Sequence, residues 1–166
     1  GATPREIPFQ EYFVKLRHDV PVESIRFDGA DAAMPLGLDA LESADAILIA
    51  PSNPLVSIAP LRSLAGVEDL LRRRRDHVVA VSPIVAGSAL KGPADRLMRE
   101  LGHEPSVVGV ARLYAPIASV LVIDEQDAKL ATAVESEGIR CIVTNTIMST
   151  PEITTALART CIEAVS

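Results

Sequence analysis

The stretch Ala46-Ile47-Leu48-Ile49-Ala50, ending at Pro51-Ser52-Asn53-Pro54, decides the fold. It is a continuous apolar run with no polar alternation, closed by turn residues, and it reads as a strand covered on both faces. Val78–Ser82 (VVAVS) repeats the pattern, and Val120–Ile123 and Ile139–Val143 supply two more strands. A further short strand is expected at Ile25–Phe27. Helical stretches separate them: Gly37–Ala44, Ser57–Leu64, Val67–Arg74, Pro93–Leu101, Ser106–Leu113, Asp127–Glu137 and Pro151–Val165. Strands spaced by helices in this way imply βαβ units and a parallel sheet. The fold expected is α/β, a three-layer Rossmann-like parallel sheet flanked by helices.

Helix punctuation agrees. Pro93 after Gly92 and Pro151 after Thr150 stand where a first helical turn tolerates proline, because that N–H has no helical partner. Thr150 can cap the last helix. Gly138 stands where a helix C-terminus favours glycine. There is no internal repeat and no low-complexity linker, so residues 1–166 read as one α/β domain portion. The segment Ile7–Arg17 (IPFQEYFVKLR) differs. It puts Phe9, Phe13 and Leu16 on one helical face, yet it has no strand of its own to pack on. Residues 1–20 are expected to be helical and to belong to a region shared with a preceding half.

The chain has 166 residues, 48% of them apolar and 23% charged. A domain of this length buries roughly 70% of the surface its unfolded chain exposes, so it needs no disulfide or metal to build a core. The apolar content excludes intrinsic disorder. No apolar run approaches the ~18 residues of a membrane span. Arg5, Glu6, Glu11, Lys15 and Arg17 argue against a secretory signal in this stretch. A net charge of −6 argues against a general binder of nucleic acid or anionic membranes, whose affinity rests on cationic surface. Cys141 and Cys161 fit no zinc spacing and no CxxC motif, so two reduced thiols and a cytoplasmic setting are expected. Of five aromatic residues, Phe9, Tyr12, Phe13 and Phe27 precede residue 30, leaving few stacking platforms for a base beyond it.

In open parallel sheets ligands bind outside the carboxyl ends of the strands. After Ala46–Ala50, two prolines stiffen Ser52-Asn53, and Ser57 follows near the start of a helical stretch. Ser52 and Asn53 offer a hydroxyl and an amide. The same residues would also make a plain capping turn. After Val78–Ser82, the small-residue loop from Pro83 to Asp95 runs into a helix start. Its glycines would let backbone approach a phosphate, and Lys91 adds a cation, though no Walker motif is present. A glycine-rich connector with a solvated lysine is the alternative, with Asp95 a first-turn carboxylate that suits the helix dipole. After Ile139–Val143, the polar run Thr144–Thr150 reads as a capping connector. Arg72–Arg75 reads as a solvated helix end. His18, His77 and His103 lack partners at ligand spacing, and the aspartates flanking strands form no recognisable metal motif. Neither GxSxG nor HExxH occurs.

Four stretches taken in order carry a family resemblance. They are Phe9–Val14 (FQEYFV), Ala44–Pro54 with Ser57–Pro60, Val81–Val85 with Ala89–Asp95, and Thr144–Met148 (TNTIM). Together they resemble the 2-phospho-L-lactate transferases of coenzyme F-420 biosynthesis, whose actinobacterial members act as phosphoenolpyruvate transferases. The resemblance covers essentially the whole chain.

It implies transfer of a phospholactate or phosphoenolpyruvate group from a guanosine-diphosphate-activated donor to a ribityl hydroxyl of the deazaflavin FO. GMP and F-420-0, or its dehydro form, would be the products, and magnesium would assist. Ser52, Asn53, Ser57 and Lys91 are the expected contacts to the guanosine diphosphate, joined by Ser82, Gly92 and Asp95. Family members are longer and place a glycine-rich loop and the metal-binding carboxylates earlier. The chain therefore reads as a C-terminal portion, inactive alone, with the magnesium ligands elsewhere. Exposed apolar surface on such a portion leads to an expected homodimer. Two positions depart from the family pattern: Ala86-Gly87 stands for a glycine pair, and Asn145 for an acidic residue. The gluconeogenesis-factor family, which binds nucleotide sugars without catalysis, is similar around Asn53–Pro60 and gives the alternative reading. A purely structural half, binding neither, is a third.

Overall fold

A computed structural model describes residues 4–90 and 92–166. In chain order the regular elements are α1 (Leu38–Ser43), β1 (Ile47–Ile49), α2 (Ala59–Arg62), α3 (Val67–Arg73), β2 (Val78–Val81), β3 (Ile84–Val85) and β4 (Ser88–Ala89). There follow α4 (Ala94–Glu100), α5 (Val107–Tyr114), β5 (Val120–Ile123), α6 (Ala131–Glu135), β6 (Arg140–Val143) and α7 (Pro151–Glu163). The strands β1, β2, β5 and β6 form one sheet in that spatial order, all parallel. Ile47 pairs with Val78, Val79 with Val120, and Val120 with Arg140. The α/β Rossmann-like class expected from the apolar runs is the class observed.

Side chains alternate across a strand, so the sheet sorts its apolar residues onto two faces. Ile47, Ile49, Val78, Ala80, Leu121 and Ile123 join Leu70 of α3 and Val107, Val110 and Tyr114 of α5. Val79, Val81, Val120 and Val122 face the other way, onto Leu157 and Cys161 of α7. Every residue of β2 and β5 is buried, as a run without alternation demands. β1 departs from the expectation. It lies at the sheet edge, and Leu48 remains 42% exposed because the cluster under α7 does not extend to it.

Four local expectations are corrected. Ile25–Phe27 forms no strand: Arg26 instead pairs with Glu6 and Asp28 in a surface cluster. The stretch from Pro83 to Asp95 is not a plain loop, because β3 and β4 close an antiparallel hairpin inside it. Pro93 occupies the N-cap of α4 rather than its first turn. The stretch from Asp127 to Glu137 opens earlier, as a 3-10 turn at Glu125–Leu130 capped by the Asp124 carboxylate, before α6 takes over. Thr150 does cap α7, accepting from the Ile153 N–H, and Gly138 closes the turn after α6 at φ +84°.

Of the arginine run, Arg72 and Arg73 lie on the expected solvated face, whereas Arg74 and Arg75 do not. Arg74 donates to the carbonyls of Leu41, Glu42 and Ala44, closing the end of α1. Arg75 donates to Ala115 O at 2.7 Å and Gly138 O at 2.6 Å. A guanidinium carries five donors in a fixed fork, so one side chain can tie several chain ends. The segment after residue 7 contains a π-helical turn at Glu11–Lys15 rather than a regular helix. Tyr12 is buried and its hydroxyl accepts from Arg96 of α4, while Glu100 of α4 accepts from the Val22 N–H. Phe9 and Phe13 stack on one another at a 5.4 Å centroid distance and stay partly exposed.

Candidate functional site

Because all four sheet strands are parallel, their carboxyl ends open onto one edge, and the turns leaving that edge form the candidate site. After β1, Ser52 N–H reaches back to Ala50 O at 2.8 Å. Asn53 then starts a π-helical turn at Pro54–Ile58. Its Oδ1 accepts from Leu55 N–H at 2.9 Å and Val56 N–H at 3.3 Å. Pro54 takes the position whose N–H would have gone unused. The acceptor side of the Asn53 amide is therefore consumed by the turn. Its Nδ2 is buried and has no hydrogen-bond partner among the described residues. A buried donor without a partner is costly, and an oxygen of a bound ligand would satisfy it. Ser57 stands exposed on the same turn, with its N–H given to Asn53 O.

After β2 the geometry differs. Ser82 is 2% exposed, and its hydroxyl both accepts from Ile84 N–H and donates to Ile84 O, each at 3.1 Å. It shapes the turn and presents no free hydroxyl to a ligand. Val85 pairs with Ser88, leaving Ala86-Gly87 as a two-residue tip. Both tip residues have positive φ, +50° and +77°, the condition for a type I′ turn. Gly92 also has positive φ, +72°, and a side chain there would meet nothing within 4 Å, so the space before its backbone is open. Lys91 lies outside the described residues. Asp95 sits half-buried in the first turn of α4, which packs against the Pro54–Ile58 turn and against β4. The structure thus packs α4, which carries Asp95, against the turn that carries Asn53 and Ser57, while Ser82 shapes the separate turn after β2.

Two buried carboxylates, Asp124 and Asp127, follow β5, and sequence reading assigned neither to this edge. Asp124 Oδ1 accepts from Gln126 N–H at 3.1 Å, and Oδ2 accepts from Thr146 N–H at 2.9 Å and its hydroxyl at 3.1 Å. Burial pushes the Asp124 pKa up, and these hydrogen bonds outweigh it, holding the carboxyl below its ordinary range. Asp124 thereby ties the connector after β6 to the end of β5, which supports the capping reading of Thr144–Thr150. Asn145 caps its own turn, accepting from Ile147 N–H at 3.0 Å. Asp127 Oδ2 accepts from Ala86 N–H at 2.9 Å. The sequence marks Asp124 as an aspartate flanking a strand and Asp127 only as a helix start, and the signal that could have marked both was the turn Asp124–Asp127 directly behind an apolar strand.

Among the described residues, no group of three or more His, Cys, Asp or Glu side chains is placed to hold a metal ion. No chemical step is therefore assigned to a metal on this chain. Burial pushes the half-buried Cys141 thiol up to about 11, which leaves it unreactive at neutral pH. Among the described residues no helix is long and apolar enough to cross a membrane.

The family model described as 2-phospho-L-lactate transferase CofD matches residues 3–160. A 2-phospho-L-lactate transferase of Methanocaldococcus jannaschii is 38% identical over 159 residues, covering 95% of this chain and 50% of that protein. One from Methanococcoides burtonii is 40% identical over 156 residues, covering 92% and 50%. A phosphoenolpyruvate transferase of Kitasatospora aureofaciens is 36% identical over 159 residues, covering 94% and 50%. The chain spans about half the length of the curated relatives it matches.

Proposed function

Because the chain belongs to the 2-phospho-L-lactate transferase CofD family, we propose that its protein moves a phospholactate or phosphoenolpyruvate group onto FO from a guanosine-diphosphate-activated donor. In the proposed step a ribityl hydroxyl oxygen of FO forms a bond to the phosphorus that carries the acid. The bond from that phosphorus to the bridging oxygen breaks, GMP leaves with the electron pair, and the hydroxyl proton passes to a base. Such a reaction needs alignment and charge stabilisation more than covalent chemistry from the protein. The strand-end turns described above are suited to the guanosine diphosphate portion.

The observation that carries this role is the Asn53 amide, fixed through Oδ1 with its Nδ2 left as a buried donor. Ser52 and Ser57 supply hydroxyls on the same turn. Gly92 offers open space before its backbone, Asp95 lies in the first turn of the α4 helix that packs on this turn, Lys91 supplies the cation, and Ser82 shapes the turn after β2. Magnesium belongs to the proposal as a group that would screen the donor's diphosphate and the charge passing to GMP, with ligands outside the described residues. A cytoplasmic homodimer completes the reading. The exposed Leu48 and the other uncovered apolar side chains, Met34, Leu36 and Leu61 among them, support an association surface.

The test is release of GMP by the complete protein from each donor in the presence of FO and magnesium. Activity with one donor and none without FO supports the proposal. Residues 1–166 alone are expected to release none. Binding of a uridine diphosphate sugar in place of guanosine diphosphate would instead favour a regulator of the gluconeogenesis-factor type.

A further inference from the structure

We propose that Asp127 is the positioning residue of the β3–β4 hairpin, its carboxylate fixing the tip and through it the loop that leads to Lys91 and Gly92. The inference rests on the nucleotide reading of that loop for its functional consequence, but not for its geometry. Asp127 lies 41 residues from Ala86 in sequence, is 4% exposed, and accepts from Ala86 N–H at 2.9 Å. The Ala86 N–H is one of two tip donors the hairpin itself does not use, since a two-residue tip exchanges its hydrogen bonds between the flanking residues Val85 and Ser88.

Ala86 also carries a conformational cost. At φ +50° it occupies the left-handed region, where an L-residue other than glycine is disfavoured by the clash of its Cβ with the following carbonyl. Type I′ tips ordinarily place asparagine, aspartate or glycine at this position to avoid that cost. Here the position holds alanine, and a charge-assisted hydrogen bond from its N–H to a buried carboxylate offsets it. Asp127 itself is held by its own backbone, since its N–H donates to Asp124 O at 2.9 Å within the 3-10 turn that Asp124 caps. The end of β5 therefore fixes a loop that belongs to the end of β2. On the remaining sides the hairpin meets α5 at β3 and α4 at β4.

The test is a thermodynamic cycle on the complete protein with guanosine diphosphate as the probe. Asp127→Ala is expected to weaken guanosine diphosphate binding about tenfold, the loss of one hydrogen bond to a charged group. The folded protein, verified by circular dichroism at the assay temperature, is the species measured. Adding Ala86→Gly, which removes the left-handed cost, is expected to recover most of that affinity without restoring the melting temperature to the same extent. If Asp127→Ala does not fold, Asp127→Asn keeps the volume and an acceptor, and a loss of about threefold with the same rescue is expected. Unchanged affinity in a folded Asp127 variant, or no rescue by Ala86→Gly, overturns the proposal. If the unmodified protein binds no guanosine diphosphate, the nucleotide reading fails by itself. Amide exchange at Ala86 then decides: protection lost in the Asp127 variant supports positioning, and unchanged protection overturns it.

Discussion

The turn after β1 and the hairpin after β2 leave neighbouring parallel strands at the same edge, yet they are held in opposite ways. The first is closed by its own residues: Asn53 caps the N–H groups two and three positions on, and Pro54 starts the turn. The second is closed from outside, by an aspartate on the far side of β5. A turn satisfied within four residues can be specified by local composition. A tip with alanine in the left-handed region cannot, and depends on the tertiary fold to bring its partner. The lesson is that the β1 turn should tolerate isolation from the rest of the edge, whereas the β2 hairpin should fail with its remote contact.

The largest expected effect tests the division of labour between them. If the β2 loop supplies charge to the nucleotide, Lys91→Ala in the complete protein weakens donor binding by about 1.5–3 kcal/mol, the value of a charge-assisted hydrogen bond. An unchanged donor Kd by calorimetry removes Lys91 from the site. Next, two substitutions at Asn53 separate the cap from the ligand contact. Asn53→Ala should cost about 1 kcal/mol of stability, the usual loss of an N-cap, together with nucleotide affinity. Asn53→Asp keeps the cap acceptor and loses the Nδ2 donor. It should therefore hold its melting temperature while guanosine diphosphate binding falls about tenfold. Equal binding by Asn53→Asp would reduce the β1 turn to a cap and nothing more.

Acid sharpens the comparison from the other side. Asp124 has a folded pKa below the ordinary aspartate value of about 3.9, so its contribution to stability is complete above that value. The contribution is lost as pH falls through the lower folded value. Asp124→Asn should thus be less stable than the unmodified protein at neutral pH, with the gap closing as the pH drops below about 4. Urea midpoints across that range check it, and a gap independent of pH would remove the carboxylate from the junction with Thr146. The smallest effect is expected at Ser57, which is exposed and whose N–H alone serves the turn. Ser57→Ala should leave stability within about 0.5 kcal/mol, so that any change in nucleotide affinity reports a direct contact.

How much of this was legible in the sequence follows the same division. The strands β1, β2, β5 and β6 were legible because each is an apolar run with turn residues behind it. Thr150 was legible because a cap reaches only three residues on. Ile25–Phe27 misled because β-branched and aromatic residues suggest a strand, whereas Arg26 finds charge partners at the surface, Asp28 nearby and Glu6 twenty positions back. The hairpin in Pro83–Asp95 was missed because two-residue strands leave almost no periodic signal. Arg74 and Arg75 read as solvated charge because their carbonyl partners lie 30 to 63 positions away. The Asp127–Ala86 contact is invisible for the same reason, although Ala86 stood out as alanine where a glycine is usual. Of the candidate site, the turn residues were legible by chemistry, and what holds them in place was not.

The most direct test of the central reading is a calorimetric titration of the complete protein with guanosine diphosphate and with a uridine diphosphate sugar, magnesium present in both. Guanosine-selective binding is the predicted result, and it would place the strand-end turns in the transferase's donor site. Preference for the uridine nucleotide, or no binding of either, would contradict it.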